Sequence, residues 1–244
     1  MARSPSYADS FSVSQFIVQC GLICAVFGLW DSPLIQPVKL MVVLFHELSH
    51  GLMALLSGGQ VHNVILTADE GGACETSGGV ALFIVSAGYL GSMTMGGLML
   101  YLSRVKGCVT LVYILLFMTL TAAIFTVLRD PYSRRFATGL AAAFLVLGFL
   151  VPTLLGALFL RILGTVSCLY SIFDIYWDVL ATDRPGYTPE NDAVAIANLT
   201  GLSPHAVGLL WLGLSVLFFL ALLKIMVLRE PGVPPETQQL PAAA

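Results

Sequence analysis

Seven apolar runs divide this chain of 244 residues, and several reach or approach the roughly 20 helical residues needed to cross a hydrocarbon core about 30 Å thick. They extend from Ser12 to Trp30, Leu34 to Leu56, Gly79 to Ser103, Gly107 to Leu128, Phe136 to Val151, Leu154 to Leu180 and His205 to Leu228. In lipid the backbone has no water to bond to, so such runs must satisfy their own hydrogen bonds as helices. The pattern predicts an all-α polytopic membrane protein with about seven transmembrane helices, with six or eight also compatible. Composition supports this: 57% of residues are hydrophobic and 10% charged, where a soluble domain carries about 25% charged residues. A chain this poor in charge cannot cover itself with a polar surface. The net charge of −3 and the lack of a Lys/Arg cluster exclude nucleic acid as an expected partner.

The first run follows Arg3 and could pass for a secretory signal, but no small-residue cleavage site precedes or follows Asp31-Ser32-Pro33. It is read as a retained span. Orientation is not legible, because Arg104 with Lys106 and Arg129 with Arg134 and Arg135 flank opposite ends of one predicted helix. The positive-inside rule then gives opposite answers, so either the count is off by one or some runs do not cross fully. The expected location is an integral, multi-pass position in a bacterial-type plasma membrane.

Two polar stretches interrupt the apolar pattern. Gly58 to Gly79 reads GGQVHNVILTADEGGACETSGG, with β-prone Val61 to Thr67 between glycine clusters, which predicts a short strand or hairpin. Ala181 to Pro204 contains Pro185, Gly186 and Pro189 before a short helical reading from Glu190 to Leu199. Residues 1–230 are expected to form a single integral-membrane domain. The tail 231–244, rich in Pro, Gln and Ala, is expected to be disordered. Cys20, Cys24, Cys74, Cys108 and Cys168 are scattered and odd in number, so they read as small apolar residues and not as a disulfide framework.

The chemistry lies in the second run, LMVVLFHELSHGLMALL. His46 and His50 are four apart, so a helix presents both on one face, where they can hold one Zn²⁺ per chain, with Glu47 beside them as a general base. Zinc lowers the pKa of a bound water and polarises a carbonyl, which is the chemistry of peptide hydrolysis. A carboxylate and two imidazoles in a membrane helix are costly unless they have partners and a task. Without metal, the same residues would serve as interhelical hydrogen-bonding groups. His62 and His205 read as loop or interfacial residues.

FHELSHGLMALLSGGQV, the glycine-rich stretch after it and SAGYLGS at Ser86 to Ser92 resemble the site-2 protease family of intramembrane zinc metalloproteases, most of all its compact branch without a PDZ domain. The resemblance implies a zinc-dependent endopeptidase that cuts a transmembrane protein substrate within the lipid bilayer, with an aspartate from a later membrane helix as third ligand. The family's Asn-Pro segment leading to Leu-Asp-Gly is absent. Among acidic residues late in the chain, Asp174 and Asp178 in SIFDIYWDVL lie four apart at membrane depth. Asp174, the deeper, is the favoured ligand and Asp178 the alternative. Asp192 falls in a polar loop and is left out of the ligand set. Tyr89 stands where the family often has proline, and no catalytic role is assigned to it. The small residues Ala87, Gly88, Gly91, Ser92, Gly96 and Gly97 read as a close-packing ridge. A helical substrate must unwind before it can be cut, and Val61 to Thr67 is expected to pair with it by strand addition. The alternative to an enzyme is a non-proteolytic membrane scaffold, chaperone or transporter component that keeps the fold.

Overall fold

The computed structural model describes residues 12–105, 107–180 and 191–227; the expected tail lies outside them. The order is α1 (Val13–Gly28), α2 (Gln36–Leu56), β1 (Gln60–Leu66), β2 (Gly72–Ser77), α3 (Ala81–Leu102), α4 (Cys108–Thr126), α5 (Pro131–Phe149), α6 (Thr153–Ile175), a π-helical turn (Tyr176–Leu180), α7 (Asp192–Thr200) and α8 (Pro204–Met226). Several starts are written in the sequence. Asp130 accepts from the Ser133 N–H at 2.8 Å ahead of Pro131, and Ser203 accepts from the Ala206 N–H ahead of Pro204. Both are side-chain caps with proline in the first turn, where its missing N–H costs nothing.

Each apolar run forms a helix, but among the described residues five helices are long and apolar enough to cross a membrane: α2, α3, α4, α6 with its π turn, and α8. The expected seven spans are therefore not reproduced. Helix α1 has 16 residues, about 24 Å at 1.5 Å per residue, short of the hydrocarbon thickness. Helix α5 starts at Pro131, five residues before the apolar run, because the Asp130 cap nucleates it there. Its opening turns thus include Arg134 and Arg135.

Helix α3 is the hub, packing on α2, α6 and α8, and its small residues make this possible. A β-carbon at Gly96 would lie 2.8 Å from Ser167 Cβ, and one at Gly97 2.6 Å from the Phe218 ring. In a bilayer, helices gain nothing from excluding water from one another, so close backbone approach and interhelical hydrogen bonds hold them together. Ser167 donates to the Ser92 carbonyl at 2.9 Å, and the Ser92 and Ser171 hydroxyls meet at 3.0 Å.

The β-prone stretch forms an antiparallel hairpin, with Val64 opposite Cys74 and Leu66 opposite Gly72. It lies along α2. Its tip is tied to the first turns of α2 by Lys39 Nζ to Glu70 Oε1 at 3.4 Å and by Gln36 donating to the Ala68 carbonyl. Glu70 takes φ 67°, the one positive φ outside glycine among the described residues. The outer edge of β1 is occupied. Its Val64 N–H donates to the Val127 carbonyl at 3.0 Å and its Leu66 N–H to Ser133 Oγ at 2.9 Å.

Glycine 164 is the tightest backbone approach between α3 and α6: an added β-carbon would stand 2.6 Å from the Gly96 carbonyl oxygen and 2.8 Å from Leu100 N. Gly164→Ala should destabilise the protein by about 1 to 3 kcal/mol, as overpacking does. Gly21→Ala, where nothing lies within 4 Å, should not. Thermal unfolding of the two variants in one detergent checks the contrast.

Candidate metal centre and active site

Four segments build the site. Helix α2 presents His46 and His50 on one face, and their rings meet edge to face with centroids 4.7 Å apart. Glu47, beside them, is buried, with its carboxylate packed against Gly72 at the start of β2, where a β-carbon would lie 2.6 Å from Oε1. Helix α3 supplies the Ile84 carbonyl, 2.7 Å from His50 Nδ1. A carbonyl can only accept, so His50 Nδ1 carries the proton, and in the neutral ring Nε2 is left with a lone pair.

The fourth segment is α7. Its first residue, Asp192, places Oδ2 3.1 Å from His46 Nε2 and 3.3 Å from His50 Nε2. That oxygen is buried without a hydrogen bond of acceptable geometry. Three donor atoms therefore converge with no proton well placed between them, an arrangement that would be repulsive were all three lone pairs left alone, and one that a cation satisfies. Zn–N and Zn–O bonds of about 2.0 to 2.2 Å in a tetrahedral site put neighbouring donors about 3.3 Å apart, which the observed distances match. Burial pushes the Asp192 carboxyl up, but hydrogen bonds and positive charge from the two imidazoles, when protonated, hold it down at about 2; beside neutral rings a bound cation would take over that role.

The same donor set accounts for Gly88. A β-carbon there would lie 2.3 Å from His46 Nε2 and 2.5 Å from His50 Nε2, in the space between the donors.

Asp174, favoured from the sequence, is not part of this group, and neither is Asp178; the three side chains that meet are His46, His50 and Asp192. Asp174 and Asp178 pair with each other and line the cavity of about 450 Å³ onto which His46, His50 and Asp192 also face, together with Glu47, Glu70, Tyr89 and β2. Among the described residues the structure thus brings Asp192, and neither Asp174 nor Asp178, to the two histidines. Depth along α6 did not single out the residue beside the histidines, because α6 ends in the π turn and the start of α7 lies at the site. There Asn191 donates to the Asp178 carbonyl at 2.6 Å and caps α7 by accepting from the Val194 N–H. The Asn-Asp pair at the start of a helix was the available signal, since a capping residue fixes where its neighbour points. His62 bonds Ser77 on the exposed hairpin.

Residues 19–222 match the family model described as Peptidase M50B-like. The match covers most of the chain, which therefore belongs to this family of site-2-type membrane peptidases. With five membrane-length apolar helices, it is an integral membrane protein. No curated protein and no solved structure matches it.

The geometry sets two metal predictions. Asp192→Asn and Gly88→Ala should each lose stoichiometric zinc, while Asp174→Asn keeps it. Elemental analysis of the purified full-length variants checks this; zinc retained in Asp192→Asn and lost in Asp174→Asn would restore the original assignment.

Proposed function

We propose that the protein is a zinc-dependent intramembrane endopeptidase that hydrolyses a peptide bond in or near a transmembrane segment of another protein. One observation carries this reading: the Glu47 carboxylate, the converging His46, His50 and Asp192 donors, and the strand β2 all face one cavity. His46, His50 and Asp192 would hold the ion. Bound zinc supplies an acidified water and a Lewis acid for the scissile carbonyl. Glu47 takes the proton of the attacking water and, once the carbonyl carbon has been attacked, delivers it to the departing amide nitrogen. Its packing against Gly72 fixes the carboxylate beside the cavity that both residues line.

Substrate presentation falls to β2 and not to β1. Since the N–H groups of Val64 and Leu66 point away from β2, their partners Cys74 and Gly72 point their own N–H and C=O groups to the opposite side, as non-hydrogen-bonded pairs of an antiparallel ladder do. Gly72, Cys74 and Thr76 also line the cavity. An unwound substrate segment adding there as a third strand would lie alongside Glu47 and the donor group, with its backbone bonds satisfied by β2 instead of by its former helix. The expectation that Val61 to Thr67 pairs with substrate is replaced by this one, because β1 already spends its outer edge on Val127 and Ser133.

Glu47→Gln should abolish cleavage of a transmembrane substrate, by about 10²- to 10⁴-fold as for other general bases, while keeping zinc. His46→Ala should lose both. Cys74→Pro removes an outward N–H while leaving the β1 pairing intact, and should lower cleavage with zinc retained. A wild type that binds zinc and cleaves nothing would favour a non-proteolytic scaffold, and unaltered cleavage by Cys74→Pro would sink strand addition at β2.

A further inference from the structure

The two histidines of the site are held in different ways. A metal-binding imidazole is normally aimed by a hydrogen bond to its other ring nitrogen, which fixes both tautomer and tilt. His50 has that bond, from Nδ1 to the Ile84 carbonyl. For His46 no hydrogen bond from a described residue reaches Nδ1, and its polar contact is Nε2 with Asp192. Two aromatic rings pack on His46. Tyr89 stands against it at 4.8 Å between centroids with the planes at 85°, and His50 meets it edge to face on α2 itself.

From this we infer that Tyr89 is a positioning residue for His46, setting by ring packing the tilt that a hydrogen bond sets in His50. The inference rests on the zinc reading above.

Three features support the assignment. First, the edge-to-face geometry is one that aromatic pairs prefer, and it restricts rotation of the partner ring. Second, Tyr89 is itself fixed: it is 3% exposed and backed by Trp211 of α8 at 5.3 Å. Third, the buried cluster that contains Tyr89 and Trp211 also contains Ala193 and Ile196 of α7. The ring that orients His46 thus packs in the same apolar floor that carries Asp192, so a disturbance of that floor reaches two of the three donors together. His50, tied to the backbone of α3, stands apart from it. Gly88 and Tyr89 then have complementary tasks in successive residues: one leaves room for the donors, the next aims one of them.

The test compares zinc affinity, by competition with a chromophoric chelator, in full-length protein purified in detergent. Y89F keeps the ring and should bind zinc like wild type. Y89L removes the ring edge and should bind about 10- to 100-fold more weakly, the usual cost of losing an orienting partner. W211L, which removes the backing, should weaken binding in the same direction, and it decides the matter if Y89L is not obtained as a monodisperse species. Cobalt substituted for zinc should show an altered ligand-field spectrum in Y89L and an unaltered one in Y89F. Wild-type affinity in Y89L, or in W211L where that variant stands in for it, overturns the inference, as does a Y89F as weak as Y89L, which would transfer the role to the hydroxyl. A wild type without zinc fails earlier and overturns the zinc reading itself.

Discussion

The approach of α3 to α2 at Gly88 is the contact on which the site depends. Helix α2 carries a carboxylate and two imidazoles in a stretch that is otherwise apolar, and a charge at the centre of a membrane helix costs about 2.5 to 3.5 kcal/mol unless it is met by partners. Those partners arrive only because α3 comes close enough for the Ile84 carbonyl to reach His50 and for Tyr89 to reach His46. Any side chain at position 88 would enter the space between the donor atoms. The same helix uses Gly96 and Gly97 to seat α6 and α8, so the packing that makes the bundle also makes the room for the ion.

Around that contact, the polar connections are structural parts of the site. The hairpin runs beside α2 with its tip held by Lys39 and Gln36, which brings β2 against Glu47. After the π turn, Asn191 fastens the start of α7 to the end of α6, and Asp192 follows at a fixed position above the two histidines. Side chains from α2, α3, β2 and α7 thus face one cavity, although 146 positions separate His46 from Asp192 in the chain (192 − 46).

Much of this was legible beforehand because it is local. Hydrophobic runs marked the helices; the glycine-bounded β-prone stretch marked the hairpin; the four-residue spacing of His46 and His50 put both rings on one face. Legibility failed where length or distant contacts decide. The run at Ser12 to Trp30 looks like a span, yet its helix has 16 residues. The one after Arg135 gains two arginines because its helix starts five residues earlier, at Pro131. The outer edge of β1 looked free because the partners that occupy it, Val127 and Ser133, lie more than 60 residues away.

The third donor shows the division most clearly. Sequence by itself determined that this is a membrane protein with two zinc-capable histidines and a base on one helix, since periodicity and apolar length are properties of neighbouring residues. The family resemblance implied an acidic third ligand, and depth in an apolar run pointed to Asp174. Only the tertiary structure brought Asp192 to the histidines, because a residue in a polar connection has no depth of its own until the chain folds, and here the Asn191 cap, bonded to the Asp178 carbonyl, sets the start of α7 beside them.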